Sequence, residues 1–206
     1  IEVAARYMLE MEEELVPWQM HSLATGVIAR RIAEVVGCDF ELAVAGALLH
    51  DVGRKISCGL YHGLCGYLMV AGQKNLRPCA RFCITHWLKG RTKEEILKEG
   101  NLPPDVVDFI LGLEDFVNLS VEDLVVNVAD SLARRDVVVE IGKRYDDAIR
   151  RYGDTPWVRG NRERSLLFKA RLDLLAGRDI YEVLPPFGRR IGVEEAFKEL
   201  GMEESG

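Results

Sequence analysis

Apolar residues recur every three or four positions along most of the chain, a spacing that predicts amphipathic helices. In residues 20–36 this stripe consists of Met20, Leu23, Ala24, Val27, Ile28, Ile32 and Val35. Further helices are predicted at residues 2–15, after Asp39, at 60–72, 76–88 and 93–99, from Pro103-Pro104, from Ser120, and at 136–152, 158–176 and 193–201. Only Val137-Val138-Val139 suits a strand, and it is short and flanked by helix formers. The predicted fold class is therefore all-α.

Residues at the ends of these segments support the predicted boundaries. Gly37 is a natural stop for a helix, and Asp39 can cap the next one. Thr92 and Glu95 have the spacing of a capping box. The helices are interrupted most clearly between residues 135 and 160, which makes this region the best candidate for a seam between two parts of the chain.

The composition is that of a protein with a sizeable core. The sequence has 206 residues, 48% of them hydrophobic, which suits one large domain or one domain with an extension. Its formal net charge of −6 argues against binding of a nucleic-acid polymer, because such binding requires a positive surface. A small anionic substrate is still compatible with this charge if a bound metal supplies local positive charge.

The cysteines and the apolar runs predict a cytoplasmic protein that does not enter the membrane. The five cysteines are odd in number and form no CxxC pair, which favours reduced, buried thiols. No secretory signal opens the sequence. The longest apolar run, Leu42 to Leu49, is far too short to span a bilayer.

That apolar run ends in His50-Asp51, two potential metal ligands at the end of a predicted buried helix. Burying a carboxylate is costly unless a partner compensates it, and a metal ion is one such partner. A hydrogen-bonded pair at a helix end is the alternative. Adjacent helical residues point about 100° apart, so a metal here needs ligands from other helices. His21 and Asp130 are the candidates, although periodicity places Asp130 on the solvent side of its helix.

The two remaining histidines, His62 and His86, are candidate ligands or packing residues. Because Cys79, Cys83 and His86 share a helical face, a zinc site is an alternative there. No second Cys/His cluster completes a tetrahedral set, so small buried thiols are the preferred interpretation.

Taken in order, these motifs resemble those of the HD-domain superfamily of metal-dependent phosphohydrolases. The matching stretches are His21-Ser-Leu-Ala, Gly46-Ala-Leu-Leu-His-Asp-Val-Gly-Arg54, Val128-Ala-Asp-Ser-Leu132 and, for the dinuclear branches, His62-Gly63 with Gly66 and Ile84-Thr-His86. The resemblance covers about residues 18–135. We therefore expect an HD-domain helical bundle at 1–135. The segment 136–206 lies outside the resemblance and is predicted to be a C-terminal helical extension packed on this core.

The resemblance also implies a site for divalent metal ions. His21, His50, Asp51 and Asp130 would hold one ion, and Asp51 would bridge to a second ion held by His62 and His86. Imidazole and carboxylate ligands without thiolate favour iron or manganese, with zinc, nickel, cobalt or magnesium possible. If only one ion binds, His62 and His86 would instead serve as acid–base groups or phosphate contacts.

The activity implied by the resemblance is hydrolysis of a phosphate ester or anhydride in a small nucleotide-like molecule. A metal-bridging hydroxide would be the nucleophile, and Asp51 and Arg54 would be the catalytic residues. Two other activities stay open. The same ligand types hold two irons in HD-type oxygenases, and a binding or sensor module could retain the metal without catalysis.

Several basic residues follow the predicted ligands and are candidate substrate contacts: Arg54, Lys55, Lys89, Arg91, Arg134 and Arg135. The segment 141–171 adds nine Lys/Arg against four Asp/Glu. It could form a wall for an anionic substrate, a contact between two copies of the chain, or a solvated helix face. The early helix at 2–15 could also mediate a homodimer.

Overall fold

The computed structural model describes residues 1–57, 59 and 61–202. Its α-helices are α1 (Glu2–Leu9), α2 (Pro17–Val36), α3 (Phe40–Leu49), α4 (His62–Ala71), α5 (Ala80–Leu88), α6 (Lys93–Glu99), α7 (Pro104–Leu111), α8 (Val121–Leu132), α9 (Ile141–Tyr152), α10 (Pro156–Ala176) and α11 (Val193–Leu200). Single 3₁₀ turns occur at Val52–Lys55, Arg77–Cys79 and Ile180–Val183. The prediction of an all-α fold is confirmed.

Helix α8 lies at the centre of this arrangement and packs against α2, α3, α5 and α10. Nine of its twelve residues are buried. Its apolar stripe faces the main core, while its opposite side is covered by α5 and the residue after it, through Thr85 and Lys89, and by α10, through Ser165. The prediction that Asp130 would face solvent is therefore wrong: its side chain is only 18% exposed, because a second layer of helix covers the face that periodicity alone assigns to water.

Two predicted helix boundaries near the N-terminus are wrong. Helix α1 ends at Leu9 instead of residue 15, and α2 begins at Pro17 instead of residue 20. The side-chain amide of Gln19 donates hydrogen bonds to the carbonyl oxygens of Met8 (2.9 Å) and Leu9 (3.2 Å), which satisfies the end of α1. Proline at the first position of α2 loses no helical hydrogen bond.

A short hairpin replaces the start of the helix predicted at 136–152. Strands β1 (Ala133–Arg134) and β2 (Val137–Val138) pair antiparallel, with Ala133 opposite Val138. β-branched valines favour this conformation, and Val137 is also bridged to Arg190. Helix α9 consequently begins only at Ile141.

The helical boundaries marked by caps are confirmed. The Asp39 carboxylate accepts a hydrogen bond from the Leu42 N–H, and Thr92 and Glu95 form the capping box of α6. Gly37 ends α2 in the left-handed conformation, with φ of 70°. Of the remaining predictions, the start of a helix at Leu60 and the thiol of Cys58 lie outside the described residues.

The C-terminal helices share a buried apolar cluster with the earlier ones, through residues such as Leu172, Ala196 and Leu200. The guanidinium of Arg31 on α2 forms a two-pronged contact with the Glu199 carboxylate on α11, at 2.6 and 3.1 Å. A boundary between two parts at residue 135 stays a prediction. No helix of the described chain is long and apolar enough to cross a membrane.

Candidate metal centre

The six predicted ligands come from five parts of the chain and meet at one place. They are His21 in α2, His50 and Asp51 directly after α3, His62 at the start of α4, His86 near the end of α5, and Asp130 near the end of α8. Two groups among them have ligand atoms within 4.8 Å of one another, which is close enough to hold an ion: His21, His50 and Asp130, and His50, Asp51 and His86.

One set of four ligand atoms surrounds a common point. His21 Nε2 lies 3.1 Å from Asp130 Oδ1 and 3.3 Å from His50 Nε2. Asp51 Oδ2 lies 4.0 Å from His21 Nε2 and 3.8 Å from His50 Nε2. Ligands bonded to one ion at about 2.1 Å are roughly 3–3.5 Å apart. The four atoms could therefore bind a single ion if the longer distances between them shortened slightly.

A second set faces the other oxygen of Asp51. His62 Nε2 and His86 Nε2 lie 3.2 Å apart. Both are close to Asp51 Oδ1, at 3.6 and 3.5 Å respectively. The two carboxylate oxygens of Asp51 therefore face different histidine pairs, which is the arrangement required of a bridging ligand.

The orientation of three imidazoles fixes which nitrogen is available for coordination. The Nδ1–H groups of His50, His62 and His86 donate to the carbonyl oxygens of Ala47 (2.7 Å), Gly59 (2.9 Å) and Phe82 (2.9 Å). Because a carbonyl oxygen only accepts, this contact places a proton on Nδ1, and in the neutral ring it leaves the lone pair on Nε2. Such anchoring is usual for histidines that ligate metals.

These lone pairs supply the test of whether a metal fits. His62 Nε2 and His86 Nε2 face each other over 3.2 Å, and in rings that carry their proton on Nδ1 both atoms are acceptors. Asp51 Oδ1, beside them, is buried without a hydrogen-bond partner. Buried acceptors without donors are costly, and a shared cation satisfies all three atoms. The residues present therefore fit a divalent metal ion.

Burial also sets the protonation of the ligands. Removal from water lowers the pKa of His50 to about 3 and that of His62 to about 4, although Asp51 opposes both shifts. Burial raises the pKa of the Asp51 carboxyl, but His50, His86 and Arg54 outweigh it and hold the pKa well below its usual range. The same holds for the pKa of Asp130, where His21 and Lys89 outweigh burial. Neutral imidazoles beside carboxylates are the forms that coordinate metals.

The tight turn after Asp51 depends on Gly53. A Cβ atom at this position would lie 1.9 Å from the backbone oxygen of His62 and 2.4 Å from the backbone nitrogen of Gly66. Only glycine lets the turn approach α4 this closely, and the approach brings His62 to Asp51. In the same turn, Arg54 Nε donates to Asp51 Oδ2 at 2.5 Å.

A cleft of about 960 Å³ opens beside the ligands, and His21, Asp51, His62, His86 and Asp130 line it. Of the predicted substrate contacts, four also line this cleft: Arg54, Lys89, Arg134 and Arg135. Lys89 is buried, and its ammonium group donates to Asn127 Oδ1 (3.1 Å) and Ser131 Oγ (3.5 Å).

The two other predicted substrate contacts have structural partners instead. Arg91 is fully buried, donates to Glu99 (2.8 Å) and Asn161 (2.7 Å), and stacks on the Trp157 ring with its guanidinium carbon 4.0 Å from the ring centroid. Lys55 pairs with Glu12 at 2.7 Å. Neither residue lines the cleft. Both residues were predicted as substrate contacts because they follow a candidate ligand closely in the sequence, but this spacing does not determine the direction of a side chain.

Sequence reasoning missed the aromatic lining of the cleft. All three tryptophans of the chain, Trp18, Trp87 and Trp157, contribute to it. The Trp87 ring centroid lies 6.1 Å from that of His62 and 6.3 Å from that of Trp157. A continuous aromatic wall thus leads from the ligands into the cleft. The only hint of this wall in the sequence is that the chain has just three tryptophans, so that each could have been considered separately.

The cysteines next to the site are buried thiols and do not join it. Cys83 donates to the carbonyl oxygen of Leu49 at 3.3 Å. Burial raises the pKa of Cys79 to about 11 and raises that of Cys83 still further. Within the described part of the chain, the groups able to hold a metal consist of histidine and aspartate.

The chain belongs to the HD domain family. The family model matches residues 19–135 and so includes all six predicted ligands. No solved structure matches significantly.

Three curated relatives show similar identity over part of their length. The tRNA (cytidine(56)-2'-O)-methyltransferase of Picrophilus torridus is 31% identical over 58% of this chain and 32% of its own length. The enzyme of the same name from Thermoplasma volcanium is 28% identical over 62% of this chain and 35% of its own. An uncharacterized protein of Methanocaldococcus jannaschii is 31% identical over 64% of this chain and 73% of its own. The chain therefore spans about a third of the methyltransferases that it matches.

Proposed function

We propose that this protein is a metal-dependent phosphohydrolase that acts on a phosphate ester or anhydride of a small nucleotide-like molecule. The observation that carries the proposal is the position of Asp51, whose two oxygens face separate histidine pairs. Two adjacent cations suit the chemistry of phosphate, since both the attacking and the leaving oxygen need stabilisation.

The donor set supports two divalent ions, with iron or manganese favoured, because it combines imidazole and carboxylate without thiolate. His21, His50, Asp51 and Asp130 would hold the first ion, and Asp51, His62 and His86 the second. When bound, such ions lower the pKa of a coordinated water and neutralise phosphate oxygens.

The protein's own side chains would bind and orient the substrate. Arg54 has a planar guanidinium that can form paired hydrogen bonds with phosphate oxygens, and it lies at the mouth of the metal site. Lys89 adds an ammonium group beside Asp130. The Trp87–Trp157 wall offers a stacking surface for a nucleobase, a contact that tolerates any base.

The cleft also favours a small substrate over a polymer. A volume of about 960 Å³ is in the range of pockets that enclose a nucleotide-sized molecule. The two methyltransferase relatives are named for an activity on tRNA, but the matched stretch covers about a third of each. We therefore assign no methyl-transfer activity to this chain.

The test is phosphate release from a panel of nucleotides and simple phosphate esters. Protein purified without oxygen would be assayed for metal content and loaded with Mn²⁺ or Fe²⁺. We expect metal-dependent phosphate release that needs no oxygen and is lost in Asp51→Asn. Turnover of the same panel by the metal-free protein would contradict the proposal, as would oxygen consumption without phosphate release, which indicates an oxygenase. Tight metal binding without any turnover would instead indicate a sensor module.

A further inference from the structure

Arg144 is a cation in the cleft that forms no ion pair within the part of the chain that the structure describes. It lines the cleft from α9, outside the residues matched by the family model. Its Nε atom is buried without a hydrogen-bond partner, and no ion pair joins it to another described residue. A guanidinium that lines a cleft and has no carboxylate partner is a group suited to bind an anion.

The acidic residues that α9 offers to Arg144 are occupied by other cations. Asp147, one turn further along, contacts Arg134 (3.9 Å), Arg150 (3.3 Å) and Arg151. Glu140, one turn earlier, pairs with Lys143 at 2.8 Å. One carboxylate thus serves three arginines, and neither acidic neighbour forms an ion pair with Arg144.

Backbone strain marks the same cleft. Lys89 and Arg135, with φ of 53° and 55°, are the non-glycine residues with positive φ in the described chain, and both line the cleft. Side chains other than glycine rarely adopt this conformation, and it is often retained where function requires it. Both residues with this conformation carry a cation and line the cleft.

The position of Arg144 relative to the metal ligands is fixed by its neighbour. The Tyr145 hydroxyl is buried and lies 3.2 Å from Ser131 Oγ and 3.0 Å from Ser165 Oγ. These contacts connect α9, α8 and α10, and Ser131 directly follows the ligand Asp130. Arg144 is therefore held on a rigid element, on the wall that the segment after residue 135 contributes.

We propose that Arg144, supported by Arg135, forms a second anion-binding subsite, so that the substrate carries two anionic groups. One phosphoryl group would bind at the metal ligands and the other at Arg144. This inference rests on the proposed function for the first group only. It extends that function by naming the substrate class: small molecules with at least two phosphate groups.

The test measures equilibrium binding, so that it does not depend on turnover. Protein loaded with Mn²⁺ would be titrated by calorimetry with AMP, ADP and adenosine 3′,5′-bisphosphate, which share the base and differ in the second phosphate. For at least one of the two bisphosphorylated ligands we expect binding about tenfold tighter than AMP, the effect of one charge-assisted contact. Equal affinity for all three would overturn the proposal.

Three variants assign the preference to Arg144. The measured quantity is the dissociation constant of AMP divided by that of the bisphosphorylated ligand. In Arg144→Gln this ratio should fall to about one, and in Arg144→Lys it should lie between one and the wild-type value. Arg171→Gln, an exposed arginine on α10, should retain the wild-type ratio. An unchanged ratio in Arg144→Gln, or an equal loss in Arg171→Gln, would overturn the assignment. Failure to hydrolyse any phosphate would overturn the proposed function and leave this ratio measurable.

Discussion

His21 Nε2 lies 3.1 Å from Asp130 Oδ1, although 109 residues separate the two in sequence. The contact joins α2 to the far end of α8 and exists because both sides of α8 are covered by protein. Two residues far apart in the sequence thus become adjacent candidate ligands. An ion held between them would depend on the packing of α2 against α8.

Asp51 and Asp130 should differ in how many ions they control. Because Asp51 faces both histidine pairs and Asp130 faces only one, we expect two ions per chain in the wild type, one in Asp130→Asn and none in Asp51→Asn. Elemental analysis after dialysis measures this stoichiometry. The exposed Asp105→Asn serves as control and should retain both ions. Two ions in Asp51→Asn would show that the carboxylate does not bridge.

Removing the metal should destabilise the protein, because the facing Nε2 atoms and Asp51 Oδ1 then lose their common partner. Metal at a hundredfold excess over its dissociation constant stabilises the folded state by about 2.7 kcal/mol. For a chain of this size that corresponds to about 5–10 °C in the unfolding midpoint. Thermal unfolding with Mn²⁺ and with a chelator measures the difference. The same shift in Asp51→Asn would place the bound metal elsewhere.

The convergence of the six candidate ligands could be predicted because each lies in a motif with a recognisable local sequence, and these motifs include all four histidines of the chain. Helix ends with a side-chain cap, such as those at Asp39 and Thr92, were predictable for the same local reason. Prediction failed where a distant residue decides the outcome. The end of α1 depends on Gln19, and no periodicity within α1 encodes that contact.

The side chains around the ligands were harder to predict, because direction matters more than sequence spacing. Lys89 and Arg91 follow His86 by three and five residues, yet only Lys89 lines the cleft. The left-handed backbone at Lys89 turns its side chain toward Asn127, while Arg91 is drawn to Glu99 and Asn161. Arg144 was not predicted individually, because it belongs to the basic segment 141–171, for which a substrate wall, a contact between two copies and a solvated helix face all stayed open.

The close approach at Gly53 should make the site intolerant of even one added methyl group. In Gly53→Ala the new Cβ would collide with backbone atoms of His62 and Gly66, which cannot rotate away. We expect a loss of at least about 3 kcal/mol in the free energy of unfolding, at the upper end for overpacking, together with loss of metal. Urea unfolding monitored by circular dichroism measures the change.

Gly72→Ala is the matched control for this substitution. Its added Cβ would lie 3.5 Å or more from its neighbours, which is ordinary contact. We expect little change in stability and unchanged metal content. Equal effects of the two substitutions would show that the turn at Gly53 does not depend on close packing.

Arg135 should show opposite effects on stability and on binding. Its φ of 55° costs an ordinary residue about 1–2 kcal/mol, whereas glycine adopts this conformation freely but loses about 0.5–1 kcal/mol in chain entropy. Arg135→Gly should therefore stabilise the fold by about 0.5–1 kcal/mol while weakening the binding of bisphosphorylated ligands. Arg171→Gly, inside α10, should instead destabilise by about 1 kcal/mol and leave binding unchanged. Chemical denaturation and calorimetry of the two variants give both quantities. If Arg135→Gly destabilised the protein, its left-handed backbone would not be a source of strain, and its position in the cleft would need another explanation.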